Sequence, residues 1–158
     1  MERINRIIAH PAFMAAMKEL KACEAAREYC LHDMEHLLNV ARIMMIRNLE
    51  DNLHFEKEHI YAAALLHDIG KVSQYKTGEK HALAGGEAAR AILPACGFSA
   101  GETDMIVRAI QTHNTDAPAN PLGELLRTCD KRSRNCFLCA AAGTCKWPAE
   151  KKNRGITI

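Results

Sequence analysis

Aromatic residues make up only 5% of this 158-residue chain. With Ala, Leu, Ile and Met in their place, the composition favours packed helices over a β-sandwich. An excess of one charge is also missing: the formal net charge is +2, short of the basic surplus expected of a duplex nucleic-acid binder. Lys131, Arg132 and Arg134 form only a small local cluster, suited to a small anion. No long apolar run occurs. The longest, Ile60 to Leu66, is far too short to span a bilayer, and Met1 to Phe13 lacks the apolar centre of a signal peptide. A cytoplasmic protein with no membrane partner is expected. No Walker loop, serine-nucleophile motif, internal repeat or low-complexity tract is present.

What is there suits one all-α domain over residues 1–158, since 48% of residues are hydrophobic and 25% charged, enough for a sizeable core. The cysteines, Cys23, Cys30, Cys96, Cys129, Cys136, Cys139 and Cys145, are odd in number. Free thiols or metal ligands are expected rather than a disulfide framework.

Along the chain, a short first turn precedes Pro11, which is placed to open a helix reaching about Tyr29 with Phe13, Met17, Leu20 and Glu24 along it. A second helix, about His32 to Asn48, buries Leu37, Val40, Ala41, Met44 and Met45, with His36 one turn before Val40 on the same side. His32 stands four residues before His36, a zinc-capable spacing, but a solvated or capping role at the helix start accounts for it. The Ala-rich run from Ile60 ends in His67-Asp68 and stops at Gly70. Residues 72–80 read as an exposed loop beside the site. A helix follows from His81 to about Leu93, in which Gly85 and Gly86 each cost about 1 kcal/mol relative to alanine. Close approach of another backbone or a ligand would explain them. The Ser99-x-x-Glu102 capping box predicts a helix over Ala100 to Thr112, delivering His113 at its inner end. Leu122, Leu125, Leu126 and Cys129 lead to Asp130, while His54 and His59 read as surface residues.

His36, His67, Asp68, His81, His113 and Asp130 thus form a set of four imidazoles and two carboxylates on or at the ends of helices. Such mixed nitrogen and oxygen ligands suit Fe or Mn best, with Zn, Ni, Co or Mg as alternatives. Six ligands exceed what one tetrahedral ion takes, so two divalent ions bridged by Asp68 are expected. Each residue also has a plainer reading. His67-Asp68 can be a helix-end hydrogen bond, Asp130 can pair with Arg132 or Arg134, and Lys71 can complement a helix C-terminus.

The ordered pattern His, His-Asp, His, His, Asp resembles the HD-domain metal-dependent phosphohydrolase superfamily over about residues 30–132. It is carried by His36-Leu37-Leu38-Asn39-Val40-Ala41-Arg42, Ala64-Leu65-Leu66-His67-Asp68-Ile69-Gly70-Lys71, His81 with Gly85, Ile110-Gln111-Thr112-His113, and Asp130-Lys131. The resemblance implies a bundle of about six helices with the ligands facing a central cleft. His36, His67, Asp68 and Asp130 match the core ligand set, and His81 and His113 the pair found where a second metal binds. It implies hydrolysis of a phosphate ester or anhydride in a nucleotide-like small molecule. Asp68 and Lys71 would be catalytic, with Lys71, and more weakly Arg132 and Arg134, on the substrate phosphate. The same ligands also serve a mixed-valent di-iron oxygenase in some similar proteins, and a non-catalytic nucleotide sensor is a third expectation.

The tail, residues 133–158, departs from that pattern. Cys136-x2-Cys139-x5-Cys145, with Cys129 seven residues earlier, can hold zinc or an iron–sulfur cluster. The alternative is a thiol-rich tail that packs Phe137, Leu138 and Trp147 on the bundle, with Pro148 to Ile158 a loose end.

Overall fold

Eight α-helices and two 3-10 turns, with no strand, make up the computed structural model, which describes residues 1–158. In chain order they are α1 (Glu2–Ala9), α2 (Pro11–Cys23), α3 (Met34–Glu50), α4 (Lys57–Leu66), α5 (Lys71–Thr77), α6 (His81–Ala95), α7 (Ala100–Thr112) and α8 (Pro121–Arg132). The all-α expectation holds. Two of the helices lie where the sequence suggested otherwise: α1 replaces a single turn, and α5 replaces an exposed loop. The α2 helix also stops six residues before Tyr29. Its C-terminal neighbour Glu24 is buried, and its carboxylate accepts from the His32 backbone N–H at 2.8 Å, so the chain turns inward there.

Helix starts follow from short polar side chains that accept otherwise orphaned backbone N–H groups. Asp33 accepts from His36 N at 2.9 Å to open α3, and Asn120 from Gly123 N at 2.8 Å to open α8. The capping box of α7 is complete: Glu102 N donates to Ser99 Oγ at 3.3 Å and Ser99 N to Glu102 Oε2 at 2.7 Å.

The helices enclose one contiguous apolar core. Helix α4 lies at its centre, buried from Ala62 to Leu66, and packs against α3, α7 and α8, while α6 packs on α7 and α5. An alanine-rich helix suits this place because small side chains let neighbouring helices approach from several sides. Gly70 is the closest of these approaches. A Cβ there would lie 2.1 Å from the His81 carbonyl oxygen and 2.3 Å from Gly85 N. The glycine after His67-Asp68 is therefore required by contact with α6; its φ of −70° is open to any residue. Gly85 approaches the same turn, its missing Cβ 3.3 Å from the His67 carbonyl oxygen, so backbone contact accounts for both glycines.

Candidate metal centre

The turn joining α4 to α5 brings Asp68 to a cleft of about 830 Å³ that His36, His81, His113 and Asp130 also line, with His67 fully buried beside Asp68. All six side chains singled out in the sequence converge there. They form two sets that share Asp68. In one, ligand atoms of His36, His67, Asp68 and Asp130 all lie within 4.8 Å of one another, and in the other those of Asp68, His81 and His113 do. The two oxygens of Asp68 divide between them. Oδ2 lies 3.1 Å from His67 Nε2 and 3.6 Å from His36 Nε2, whereas Oδ1 faces His81 Nε2 at 3.6 Å.

Hydrogen bonds behind the rings aim the imidazoles. His67 Nδ1 donates to the Ala64 carbonyl at 2.7 Å and His113 Nδ1 to the Ile110 carbonyl at 2.6 Å, so that each Nε2 is the nitrogen turned toward the other candidate ligands. His36 Nδ1 donates to Ser133 Oγ at 3.2 Å, and that hydroxyl donates to the Asp130 carbonyl at 2.7 Å. His36 Nε2 therefore also faces inward, where Arg134 Nη2 donates to it at 3.0 Å.

The electrostatics call for a cation. Burial opposes ionisation of Asp68 and Asp130, yet His67 and His36 hold both carboxyls well below the usual range. Burial likewise opposes charge on His67, but Asp68 and Asp130 push its pKa up to about 10. Even so, His67 Nε2 is fully buried with no hydrogen-bond partner. With His67 Nε2 3.1 Å from Asp68 Oδ2 and 3.7 Å from Asp130 Oδ1 but aligned for a hydrogen bond to neither, the three groups form a donor set that a divalent cation in place of the ring proton would satisfy. His81 is held down to about 4, by burial and then by the Lys71 cation, so its ring is neutral at physiological pH, the form that ligates metal. The donor set thus fits divalent metal.

Lys71 and Arg134 border the ligands. Lys71 Nζ lies 3.8 Å from Asp68 Oδ1, and Arg134 Nη2 lies 3.4 Å from Asp130 Oδ1. Arg132 does not join them: it donates to the Ile158 carbonyl and lines a separate groove, which corrects its expected place on a substrate phosphate. Cys129 is corrected as well. It is completely buried in the apolar core, where desolvation pushes its thiol up to about 12, and it is absent from the cleft that Cys136, Cys139 and Cys145 line. Phe137 and Leu138 are exposed rather than packed on the bundle. Nor is the C-terminal segment loose, since Asn153 Nδ2 donates to the carbonyls of Lys131, Arg132 and Arg134 at 2.9, 3.2 and 2.7 Å.

One residue read as peripheral lies inside. His32 is buried beside Asp68, with Nε2 3.8 Å from Asp68 Oδ2 and Nδ1 on the carboxylate of Glu24. Tyr75 Oη donates to the same carboxylate at 2.6 Å. His59 is half-buried rather than on the surface and pairs with Glu102 at 2.7 Å, far from the cleft, where Arg3 Nη1 also donates to Glu102 at 2.7 Å. The one available signal for His32 was its spacing from His36, but it precedes α3 and reaches the site from extended chain.

The HD domain family model matches residues 33–141. An uncharacterized protein of Clostridium beijerinckii is 37% identical over 153 residues, covering 97% of each chain. Ribonuclease Y of Acidothermus cellulolyticus is 28% identical over 117 residues, which is 74% of this chain but 21% of that enzyme. Ribonuclease Y of Rubrobacter xylanophilus is 30% identical over 112 residues, so the chain spans about a fifth of either ribonuclease. In fold, the crystal structure of a predicted HD superfamily hydrolase from an uncultured Thermotogales bacterium superposes with a TM-score of 0.65 at 22% identity, covering 90% of this chain and 82% of that one. With the His-Asp pair at the end of α4 and its partners drawn from α3, α6, α7 and α8, the chain belongs to the HD domain family.

Proposed function

We propose that the protein is a metal-dependent phosphohydrolase that cleaves a phosphate ester or anhydride of a nucleotide-like small molecule, using two divalent ions, Fe or Mn in preference to others. The observation that carries this reading is the division of Asp68: its oxygens face two separate ligand sets, as a bridging carboxylate requires. Divalent ions bound there supply Lewis acidity toward a phosphoryl oxygen and acidify the attacking water.

The chain's own residues supply the rest. Asp68 holds both ligand sets in register. Lys71 Nζ and the Arg134 guanidinium stand on the open side of the ligands and complement charge on a phosphoryl group, the arginine through a planar fork of donors. The cleft is of a size to hold a nucleotide, and the aromatic residues Tyr29 and Trp147 are among those that line it. The relatives named Ribonuclease Y support the same bond class, because a ribonuclease breaks phosphodiesters.

The test is metal content of protein purified without chelators, followed by a phosphate-release screen over nucleotides, in the native chain and in Asp68→Ala. Two equivalents of metal that depend on Asp68 and are lost in Asp68→Ala, together with metal-dependent release that the same variant abolishes, are expected. Substrate-dependent oxygen uptake without phosphate release, or tight nucleotide binding without turnover under any metal, would overturn the reading.

A further inference from the structure

The cleft has a second group of metal-ligating side chains that the HD-type ligand set does not use. Cys30, on the irregular segment before α3, lines it together with Cys136, Cys139 and Cys145 of the C-terminal segment. All four are free and half-buried. Cys30 thus occupies the place that spacing along the chain had given to Cys129.

Local structure gathers these thiols. Cys136 and Cys139 bracket a 3-10 turn closed by Cys139 N donating to the Cys136 carbonyl at 3.3 Å. A second turn, Cys145 N donating to the Ala141 carbonyl at 3.0 Å, folds the third thiol back. Tyr29 Oη donates to the Thr144 carbonyl at 3.3 Å and Arg134 Nη1 to the Leu31 carbonyl at 3.0 Å, joining the two segments on either side of Cys30.

The C-terminal segment also has no apolar core of its own, although Asn153 ties it to the end of α8. No residue from Arg134 to Ile158 is buried, and Leu138 and Ile156 are 79% and 88% exposed. Twenty-odd residues ordered without a core need a staple, and metals or disulfides are what small segments of this kind use. In a chain whose thiols are all free, four cysteines facing one space point to metal.

We propose that Cys30, Cys136, Cys139 and Cys145 ligate a second, thiolate-bound metal centre that fastens the C-terminal segment over the cleft. Four thiolates are the ligand set of either a structural zinc ion or an iron–sulfur cluster. The thiols are spread more widely than the HD-type sets, whose ligand atoms all lie within 4.8 Å of one another. A zinc ion, with Zn–S bonds of about 2.3 Å, would draw them together, whereas a cluster that gives each thiolate its own iron suits the wider placement. Each thiol gives up its proton on ligation. Because Arg134 lies two residues before Cys136, the centre also fixes the guanidinium that reaches His36.

Protein is produced with iron and zinc available and purified anaerobically without chelators. Iron, zinc and acid-labile sulfide are then measured in the native chain and in Cys30→Ser, Cys139→Ser, Cys23→Ser and Asp68→Ala. Asp68→Ala removes the carboxylate shared by both HD-type ligand sets, and Cys23 is exposed and does not line the cleft. In Asp68→Ala, iron matched by acid-labile sulfide identifies a cluster, and one zinc per chain without sulfide identifies a zinc ion. Either supports the proposal if it survives in Cys23→Ser and Asp68→Ala and is lost in Cys30→Ser and Cys139→Ser while far-UV circular dichroism shows the helices intact. To separate loss of ligands from misfolding, cobalt is added to the reduced, metal-free chains. A thiolate-to-cobalt charge-transfer band should develop in the native chain and Asp68→Ala and be absent in Cys30→Ser. Equal metal and equal cobalt spectra in native and Cys30→Ser protein would overturn the proposal, as would no thiolate-bound metal in the native chain.

Discussion

Arg134 donates to His36 Nε2 at 3.0 Å, so a guanidinium rests against the nitrogen that His36 turns toward the ligand sets. The same Nη2 lies 3.4 Å from Asp130 Oδ1, and its other terminal nitrogen is held by the Leu31 carbonyl at 3.0 Å. One anchored end and one end in the cleft suit an arginine that meets a substrate anion once metal occupies His36. Replacing it by alanine removes a hydrogen bond to a charged group, worth about 1.5–3 kcal/mol. Arg134→Ala should therefore lower kcat/KM for a phosphorylated substrate by about 10- to 100-fold with the HD-type metals retained. Steady-state kinetics with metal analysis on the same samples checks this, and Arg132→Ala, whose side chain lines another groove, serves as the unaffected control.

Ser133 has a role that no motif would signal. Its hydroxyl accepts from His36 Nδ1 and donates to the Asp130 carbonyl, so one small residue links two ligand-bearing elements. Partners of this kind are worth about 10- to 100-fold in metal affinity. Ser133→Ala should weaken metal binding by that factor without unfolding the chain, as measured by competition with a chelating dye. Unchanged affinity would mean that His36 is oriented by packing alone.

Helical periodicity and the spaced His, His-Asp, His, His, Asp order made six cleft residues legible, because each sits on or beside a regular helix whose buried face can be counted. What periodicity cannot reach is contact made by irregular chain. Glu24 meets His32 across an eight-residue excursion, and Cys30 lines the cleft beside the C-terminal thiols from irregular backbone. Cys129 was favoured over Cys30 by proximity along the chain, yet its position on the inner face of α8 buries it in the core. Arg132 and Arg134 look alike in sequence, but α8 ends between them, and the turn after it sends their side chains to different grooves.

Glu24 predicts an acid limit to stability. Burial opposes its ionisation, but hydrogen bonds from His32 and Tyr75 overcome this and hold its pKa down to about 2, against an ordinary 4.5. The folded state then binds fewer protons than the unfolded one between these values. Its stabilisation is complete above pH 4.5 and is lost as pH falls toward 2. At about 1.36 kcal/mol per pKa unit, the contribution is on the order of 3 kcal/mol. Glu102, lowered by Arg3 and His59, acts in the same direction. Urea unfolding from pH 6 to pH 3 should show falling stability, and Glu24→Gln should be less stable at pH 6 with a flatter decline. An equally steep decline in that variant would place the acid sensitivity elsewhere.

Three glycines separate backbone contact from helix propensity as the reason for a missing side chain. A Cβ at Gly70 would overlap the His81 carbonyl and Gly85 N, both backbone atoms that cannot rotate away. Gly70→Ala must push the start of α6 outward, taking His81 with it, at a cost of roughly 1–3 kcal/mol or more. At Gly86 the obstruction is the side chain of Gln111, which can swing aside, so Gly86→Ala should cost less. Gly101, in the first turn of α7, has nothing within 4 Å of its Cβ position. Gly101→Ala should stabilise the chain by up to about 1 kcal/mol through lower backbone entropy in the unfolded state. Thermal unfolding of the three variants gives the order Gly101→Ala above native, then Gly86→Ala, then Gly70→Ala. Metal titration adds the functional readout: Gly70→Ala should lose the site built on His81 and His113 before the one built on His36 and His67, because only the former depends on where α6 begins.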